Sequence, residues 1–163
     1  MKQQGFPEEP PQMCNSRFKG LLLQPRIMFT LVLVAILLQS APLFLVLSAV
    51  LWWNVAVPRL NPFEAAYNVL VAKRSGAIIL TAAPAPRRFA QGMAATFMLA
   101  AAASLAWGWT VAAWTLEALL VVAFSALVFG RFCLGAYVFH VLGGRVAFAN
   151  ATLPWVPGRS EPS

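Results

Sequence analysis

Two long apolar stretches, residues 26–57 and 89–130, set the hydrophobic pattern of this chain. All twelve Lys and Arg residues lie at the ends of these stretches or beyond them. The hydrocarbon core of a bilayer is about 30 Å thick and is crossed by about 20 residues of helix, so each stretch has room for two crossings. The pattern therefore predicts an all-α polytopic membrane protein whose four transmembrane helices form two hairpins.

Polar turn residues interrupt each stretch and set the limits of the predicted helices. The four predicted membrane helices span about residues 26–39, 42–57, 89–107 and 111–130. The predicted parts of the chain are a disordered tail (residues 1–20), a four-helix membrane domain (residues 21–145) and a second tail (residues 146–163). The first tail is rich in Pro and Gln, which cannot build an apolar core.

The segment between the two stretches is a long loop that holds five of the twelve basic residues. Within it, Asn61 provides a helix N-cap, Pro62 suits the first helical position, and Glu64 places an acid in the first turn. Apolar residues then recur at helical spacing, which predicts a short helix over about residues 62–74. Two placements remain open for this helix: the plane of the membrane interface, or the ends of the neighbouring helices.

The basic residues are distributed unevenly around the predicted helices. Four precede the first helix, five lie in the middle loop and three follow the fourth helix, whereas neither hairpin turn contains one. By the positive-inside rule, we expect both termini and the middle loop in the cytoplasm. The formal net charge of +7 is dispersed over the loops, which favours the lipid bilayer as partner and argues against nucleic acid.

Small residues recur every four positions along the third predicted helix. They are Gly92, Thr96, Ala100, Ser104 and Gly108. Small side chains at this interval let membrane helices approach closely, because lipid offers no hydrophobic driving force for their association. We predict that this face packs inside the bundle, with homo-oligomerisation as the alternative use.

Glu117 is the only acid within an apolar stretch. An ionisable group inside a membrane is costly, so its presence raises the hypothesis of a proton- or cation-handling site. The alternative is a structural role, in which Glu117 reaches the nearby surface or bonds with Thr115 or Ser104.

Cys133 follows the fourth predicted helix and is the main candidate for thiol chemistry. A position near Arg131 at the membrane surface would lower the pKa of its thiol, whereas the competing interpretation is a buried packing residue. His140 is the only histidine and has no acid or cysteine nearby that would complete a metal site, so a structural role is favoured. The sequence predicts no metal and no cofactor.

Two short motifs resemble those of a known protein family. The letters PRRFAQ at residues 86–91 open the third helix, and FCLGAY at residues 132–137 follow the fourth. They resemble a bacterial family of small four-helix membrane proteins known only as a domain of unknown function, with Pro-x-Arg-Phe-Ala and Phe-Cys-x-Gly-Cys motifs. Some members also carry a cysteine shortly before the first helix, as Cys14 does here.

This resemblance implies redox or sulfur handling at the inner face of a bacterial membrane. The paired family cysteines look like a dithiol, and a thioredoxin-like protein or a sulfurtransferase is the implied partner. Here Ala136 stands in place of the second cysteine, so a disulfide cannot form within the motif. Cys14 is the remaining candidate partner for Cys133.

These observations lead to three functional hypotheses. The first is an accessory or scaffolding component of an assembly in the bacterial inner membrane, without enzymatic activity. The second is a thiol-dependent redox or sulfur relay that uses Cys133. The third is a small-solute or proton carrier that uses Glu117.

Overall fold

The computed structural model describes residues 2–5, 20–72, 79–80, 82–153 and 155–156. Within these residues the regular structure is helical and contains no β-strand, so the all-α prediction is confirmed for this part of the chain. The seven α-helices are α1 (Leu23–Leu37), α2 (Ala41–Ala56), α3 (Pro62–Tyr67), α4 (Ala85–Ala106), α5 (Thr110–Val128), α6 (Leu134–Leu142) and α7 (Val146–Ala151). Two 3-10 turns, Lys2–Gln4 and Pro58–Leu60, and a π-helical segment, Asn68–Ala72, accompany them.

Helices α1 and α2 form one hairpin, and α4 and α5 form another. Gln39 turns the chain after α1 with a φ of 44°, and the Ser40 hydroxyl then accepts a hydrogen bond from the amide of Leu43, which caps α2. Gly108 turns the chain between α4 and α5 with a φ of 73°. The Gln39 amide group donates to the Glu117 carboxylate of α5 at 3.1 and 3.2 Å, so both turns lie at one end of the bundle, the turn end.

Helix α4 lies at the centre of the bundle and packs against α2, α5 and α6. Where it crosses α2, the Ser48 hydroxyl donates a hydrogen bond of 2.8 Å to the carbonyl oxygen of Ala95. Ala95 is fully buried, and its small side chain lets the two helices approach closely. The buried apolar core comprises Met28, Val32, Ala35, Phe44, Leu47, Leu51, Ala95, Met98, Ala101, Ala102, Leu120 and Phe124.

The helices of the two hairpins differ in length. Helix α4 has 22 residues and α5 has 19, and both are long and apolar enough to cross a membrane. Helices α1 and α2 have 15 and 16 residues, which correspond to about 22 to 24 Å of helix. The prediction of four helices of crossing length is therefore wrong for the first hairpin in the described residues. The first apolar stretch is the shorter of the two, and a turn over Leu38, Gln39 and Ser40 takes residues from it.

The surface of the bundle carries many large apolar side chains. In the most apolar windows of α4 and α5, only 33% and 22% of the residues are buried, whereas a core helix of a water-soluble protein is mostly buried. Exposed tryptophans lie near both ends of the bundle: Trp52 and Trp53 near the end of α2, and Trp107, Trp109 and Trp114 around the second turn. Other exposed apolar side chains include Leu31, Leu33, Val34, Leu45, Val46, Leu99, Leu119 and Val122.

The small-residue stripe of α4 does not form a single contact face. Ser104 is buried and Gly92 and Ala100 are half-buried, but Thr96 and Gly108 are exposed. Each step of four residues advances about 40° around an α-helix, so the five positions spread over about 160°. The buried positions of α4 instead include Ala95, Met98 and Ala102 in the same region. The use of the stripe in homo-oligomerisation stays a prediction.

We predict that Ala95→Leu destabilises the protein by about 1–3 kcal/mol, because a larger side chain forces α2 and α4 apart and breaks the bond from Ser48. Thr96→Leu is the matched control, since the neighbouring side chain is exposed. Unfolding of both variants in detergent measures the difference. Equal unfolding of the two variants would contradict the observed packing of α4.

Candidate functional site

Five polar side chains are buried together at the end of the bundle opposite the two turns, which we call the polar end. They are Gln24, Asn61, Glu64, Arg87 and Gln91, and we refer to them as the polar cluster. Gln24 lies in the first turn of α1, Asn61 and Glu64 lie at the start of α3, and Arg87 and Gln91 lie in the first two turns of α4. The cluster therefore joins three helices that are distant in sequence.

One oxygen atom holds the polar cluster together. Gln24 Oε1 accepts hydrogen bonds from Asn61 Nδ2 at 3.2 Å and from Gln91 Nε2 at 3.1 Å. It also accepts a longer one, 3.4 Å, from Arg87 Nη2. A buried polar group without a partner costs about 1–3 kcal/mol, so these shared bonds fix α1, α3 and α4 relative to one another.

Asn61 serves two elements at once. Its Oδ1 accepts a hydrogen bond of 3.0 Å from the amide of Phe63, which caps α3 as the sequence pattern indicates. Its Nδ2 is then free to reach Gln24, so the cap also attaches α3 to the start of α1. This dual use explains why a helix of only six residues is held in a defined place.

Arg87 and Glu64 form the charged part of the cluster. Arg87 Nη1 lies 3.8 Å from Glu64 Oε1, and both side chains are more than nine-tenths buried. Burial raises the pKa of the Glu64 carboxyl above its ordinary value, and the positive charge of Arg87 opposes part of that rise. The next residue, Arg88, points elsewhere and donates to the carbonyl oxygen of Val55 at 2.7 and 3.2 Å, at the end of α2.

Three buried atoms of the cluster have no hydrogen-bond partner among the described residues. They are Arg87 Nη1, which has only its ion-pair contact with Glu64, together with Glu64 Oε1 and Gln91 Oε1. Most buried polar atoms in folded proteins are paired, so an unpaired donor beside an unpaired acceptor requires an explanation. The ion-pair contact accounts in part for Arg87 Nη1 and Glu64 Oε1. A mostly apolar cavity between α1, α4 and α5 is lined in part by Gln24, Arg87, Gln91 and Cys133, but the three unpaired atoms are themselves fully buried.

Cys133 lies beside this cluster, at the N-cap position of α6. It is 5% exposed, and its amide donates to Gln3 Oε1 at 3.1 Å. Burial raises the pKa of the Cys133 thiol, while the amides of Ala136 and Gly135 and the charge of Arg87 act in the opposite direction. The thiol is therefore available to soluble reagents only through the cavity or through opening of this end. Cys14 lies outside the described residues.

Residues 2–5 contribute to the same end of the protein. Their 3-10 turn packs against α4 and α6, and the carbonyl oxygen of Gln3 lies 2.9 Å from Nε2 of His140. The His140 ring also packs edge-on against Phe139 and Phe148. No group of three His, Cys, Asp or Glu side chains that could hold a metal occurs in the described part of the chain.

Glu117 lies apart from this cluster, toward the turn end, and has a partner there. It is 4% exposed, and both of its carboxylate oxygens accept hydrogen bonds from Gln39 Nε2. Gln39 also donates to the carbonyl oxygen of Ile36, so its side chain is held at the end of α1. The contact attaches α5 to the first turn, and the predicted partners Thr115 and Ser104 do not take this role in the described contacts.

The sequence indicates several residues of this site, but not the contacts between them. Asn61 and Glu64 were recognised as a helix start, and Arg87 and Gln91 belong to the motif at residues 86–91. Gln24 was missed because it precedes the apolar run of α1 and resembles a solvated tail residue. The available signal was a glutamine between Leu23 and a proline, directly before the first apolar stretch.

The fold and the polar cluster define a helical-bundle protein with an apolar surface and a buried polar end. More particularly, the chain belongs to the DUF4395 family, a domain of unknown function, whose family model matches residues 19–143. The match includes every member of the polar cluster and Cys133. The same comparisons found no match among curated proteins and none among solved structures.

We predict that Cys133 reacts slowly with a small maleimide at neutral pH, because its thiol is buried and its pKa is raised. The rate should increase only at a higher pH than for an exposed thiol, since the thiolate is the reacting form. Ala82→Cys, at an exposed position near the polar end, is the reference in a Cys14→Ser, Cys133→Ala background. Equal rates for Cys133 and the position-82 thiol at pH 7 would show that the thiol is accessible and activated.

Proposed function

We propose that the protein is a multi-pass integral membrane protein that acts as an accessory or scaffolding component of a membrane assembly. The observation that carries this proposal is the contrast between its apolar surface and its buried polar end. Large apolar side chains face outward on α1, α2, α4 and α5. Such a surface is stable in lipid and promotes aggregation in water.

The positions of the exposed tryptophans support a bundle whose long axis runs across the bilayer. Trp52 and Trp53 are exposed near the polar end, and Trp107, Trp109 and Trp114 are exposed around the turn end. Tryptophan is enriched at both interfaces of a bilayer, where its ring is half in contact with headgroups. Two groups of exposed tryptophans on opposite ends of the bundle therefore fit the two interfaces.

In this proposal α1 and α2 also cross the bilayer, together with α4 and α5, although they are shorter than a standard crossing. A helical turn at residues 20–21 precedes α1 and adds to its length. The remaining mismatch is a few ångströms, which lipid thinning accommodates at a cost of fractions of a kcal/mol per ångström. The contact between Gln39 and Glu117 supports this arrangement, since it places both turns at the same end.

The polar end is cytoplasmic in this proposal, with both termini on that side of a bacterial inner membrane. Basic residues occur where helices begin or end there: Arg26, Arg59, Arg87, Arg88 and Arg131. None of the twelve basic residues lies in either turn. Lys and Arg are concentrated in the cytoplasmic loops of membrane proteins, so the turns are assigned to the opposite side.

The polar side chains favour a structural role over a catalytic or transporting one. Most hydrogen bonds of the polar cluster join one helix to another. Glu117 is likewise joined to Gln39, which argues against a carrier in which Glu117 exchanges protons or cations along a path. An accessory protein requires such a fixed framework, on which a membrane partner or a second copy of the chain can dock.

A thiol-dependent relay is the second candidate, and one observation favours it. Cys133 lines the cavity at the start of α6, close enough to Arg87 for the positive charge to act on its thiol. A thioredoxin-like protein or a sulfurtransferase would be the partner. Burial of the thiol ranks this candidate below the scaffold.

Labelling of single cysteines with a membrane-impermeant maleimide tests the proposed topology. In a Cys14→Ser, Cys133→Ala background, Leu38→Cys reports the first turn, Thr110→Cys the second and Ala82→Cys the polar end. We expect positions 38 and 110 to label in intact cells and position 82 only after the membrane is opened. Labelling of position 110 but not 38 would reduce the crossings to two, and labelling of 82 from outside would reverse the orientation.

The same cells test the accessory role. In mild detergent, the protein should migrate as a discrete complex larger than its own 17.7 kDa chain in its detergent micelle, with a reproducible composition. Migration as a monomer under every mild condition would contradict the scaffold, even if the topology were confirmed.

A further inference from the structure

Residues 2–5, which we call the lid, pack against α4 and α6 at the polar end. Within the described residues, the hydrogen bonds that join the lid to the bundle are both made by Gln3. Its Oε1 accepts from the amide of Cys133 at 3.1 Å, and its carbonyl oxygen accepts from Nε2 of His140 at 2.9 Å. Gln3 therefore contacts both ends of α6, because Cys133 is its N-cap and His140 lies in its last turn. The next residue, Gln4, lines the same cavity as Cys133.

Gly5 fits the lid onto the start of α4. Its φ of 86° lies in the left-handed region that favours glycine. A Cβ added at this position would lie 2.9 Å from Cβ of Pro84 and 3.1 Å from Cδ of Pro86. Both of these atoms belong to rigid proline rings, which cannot rotate away from the contact. A side chain at position 5 would therefore oppose docking of the lid through both strain and steric overlap.

The docked lid leaves two buried polar atoms unsatisfied. Gln3 Nε2 and His140 Nδ1 have no hydrogen-bond partner among the described residues. Both atoms would bond to water if the lid left the bundle, and the loss of those bonds opposes docking. The two hydrogen bonds of Gln3 are thus set against two unpaired groups, so docking is only weakly favoured. A segment held in this way can open locally while the helices stay packed.

We propose that the lid controls access to the Cys133 thiol, which is masked while Gln3 is docked on α6 and is exposed to solvent when the lid opens. The thiol is buried in the docked state, and Gln3 holds the backbone amide of the same residue. This device goes beyond the accessory role and does not depend on it, since the lid and Cys133 contact each other directly. Burial of Cys133, which ranks the thiol relay second, then describes the docked state alone.

The surroundings of Cys133 give the open state a different thiol chemistry. Burial raises the pKa of the thiol, whereas the amide of Ala136, the positive charge of Arg87 and the amide of Gly135 act to lower it. Opening of the lid admits water and reduces the effect of burial, while the two amides stay fixed in the first turn of α6. The lid therefore separates a masked, protonated thiol from an accessible one that ionises more readily.

Pulse labelling with N-ethylmaleimide at neutral pH tests the lid, on the full chain with Cys14→Ser so that Cys133 is the only thiol. Gln3→Met removes the acceptor of the Cys133 amide and keeps a side chain of similar length. Gly5→Ala adds the Cβ that meets Pro84 and leaves Gln3 unchanged. We expect each variant to raise the labelling rate of Cys133 about tenfold, because each shifts the lid toward the open state.

Two control variants separate opening of the lid from general loosening of the bundle. Gly108→Ala also adds a Cβ to a glycine of positive φ, 73°, but at the turn end, where among the described residues that Cβ meets nothing within 4 Å. Ser48→Ala removes a buried hydrogen bond between α2 and α4 and leaves the lid intact. Both controls should label at the rate of the unaltered chain.

The labelling rates decide between these states of the lid. Faster labelling confined to Gln3→Met and Gly5→Ala, with an unchanged helical circular dichroism spectrum, would support the lid. Unchanged labelling in both of these variants would overturn it, because access to Cys133 would then not depend on residues 2–5. An equal increase in Gly108→Ala or Ser48→Ala would also overturn it, since exposure of the thiol would then follow general loss of stability.

Discussion

A single amide oxygen, Gln24 Oε1, sets the arrangement at the polar end of this protein. Donors from Asn61, Arg87 and Gln91 converge on it, so α1, α3 and α4 share one anchor. In a water-excluded interior these donors have few alternative partners, and each unpaired one is costly. The anchor therefore sets the position of Arg87. Arg87 in turn contacts Glu64 and lines the adjacent, mostly apolar cavity.

The rest of the bundle depends on close packing and a few bonds between helices. Ser48 joins α2 to α4 through the carbonyl oxygen of Ala95, and Gln39 joins the first turn to Glu117 of α5. A helical bundle in lipid gains little from apolar burial alone, because its surroundings are as apolar as its core. Polar contacts at both ends and small residues at the crossing then specify one arrangement among many apolar ones.

The hydrophobic pattern predicted the helical hairpins because long apolar runs leave few other structures available. Its bounds for the first two helices, about residues 26–39 and 42–57, lie close to those of α1 and α2. It was wrong in expecting them to be of crossing length, which their 15 and 16 residues do not reach. The four-residue spacing from Gly92 to Gly108 was interpreted as one face, although such positions rotate around the helix and Thr96 is exposed. A local sequence pattern indicates the period of a helix, but it does not indicate on which sides of the helix other helices pack.

The candidate site was less predictable for the same reason. Asn61 has a local signature as an N-cap, whereas Gln24 and Gln91 gain their roles only when residues 67 positions apart meet. Glu117 was recognisable by its chemistry, but its partner Gln39 lies 78 positions away in the other hairpin. Chemistry can be predicted from residue type, but the pairing of buried polar groups requires the tertiary fold.

The central claim is that Gln24 Oε1 anchors the polar end, and the unfolding free energy of two Gln24 variants in lipid-like detergent tests it most directly. Gln24→Leu leaves three buried donors without this acceptor, and we expect a loss of about 3 kcal/mol or more. Gln24→Glu keeps an acceptor oxygen and adds a charge next to Arg87, so it should stay close to the native stability. A Gln24→Leu protein as stable as the native one would contradict the account.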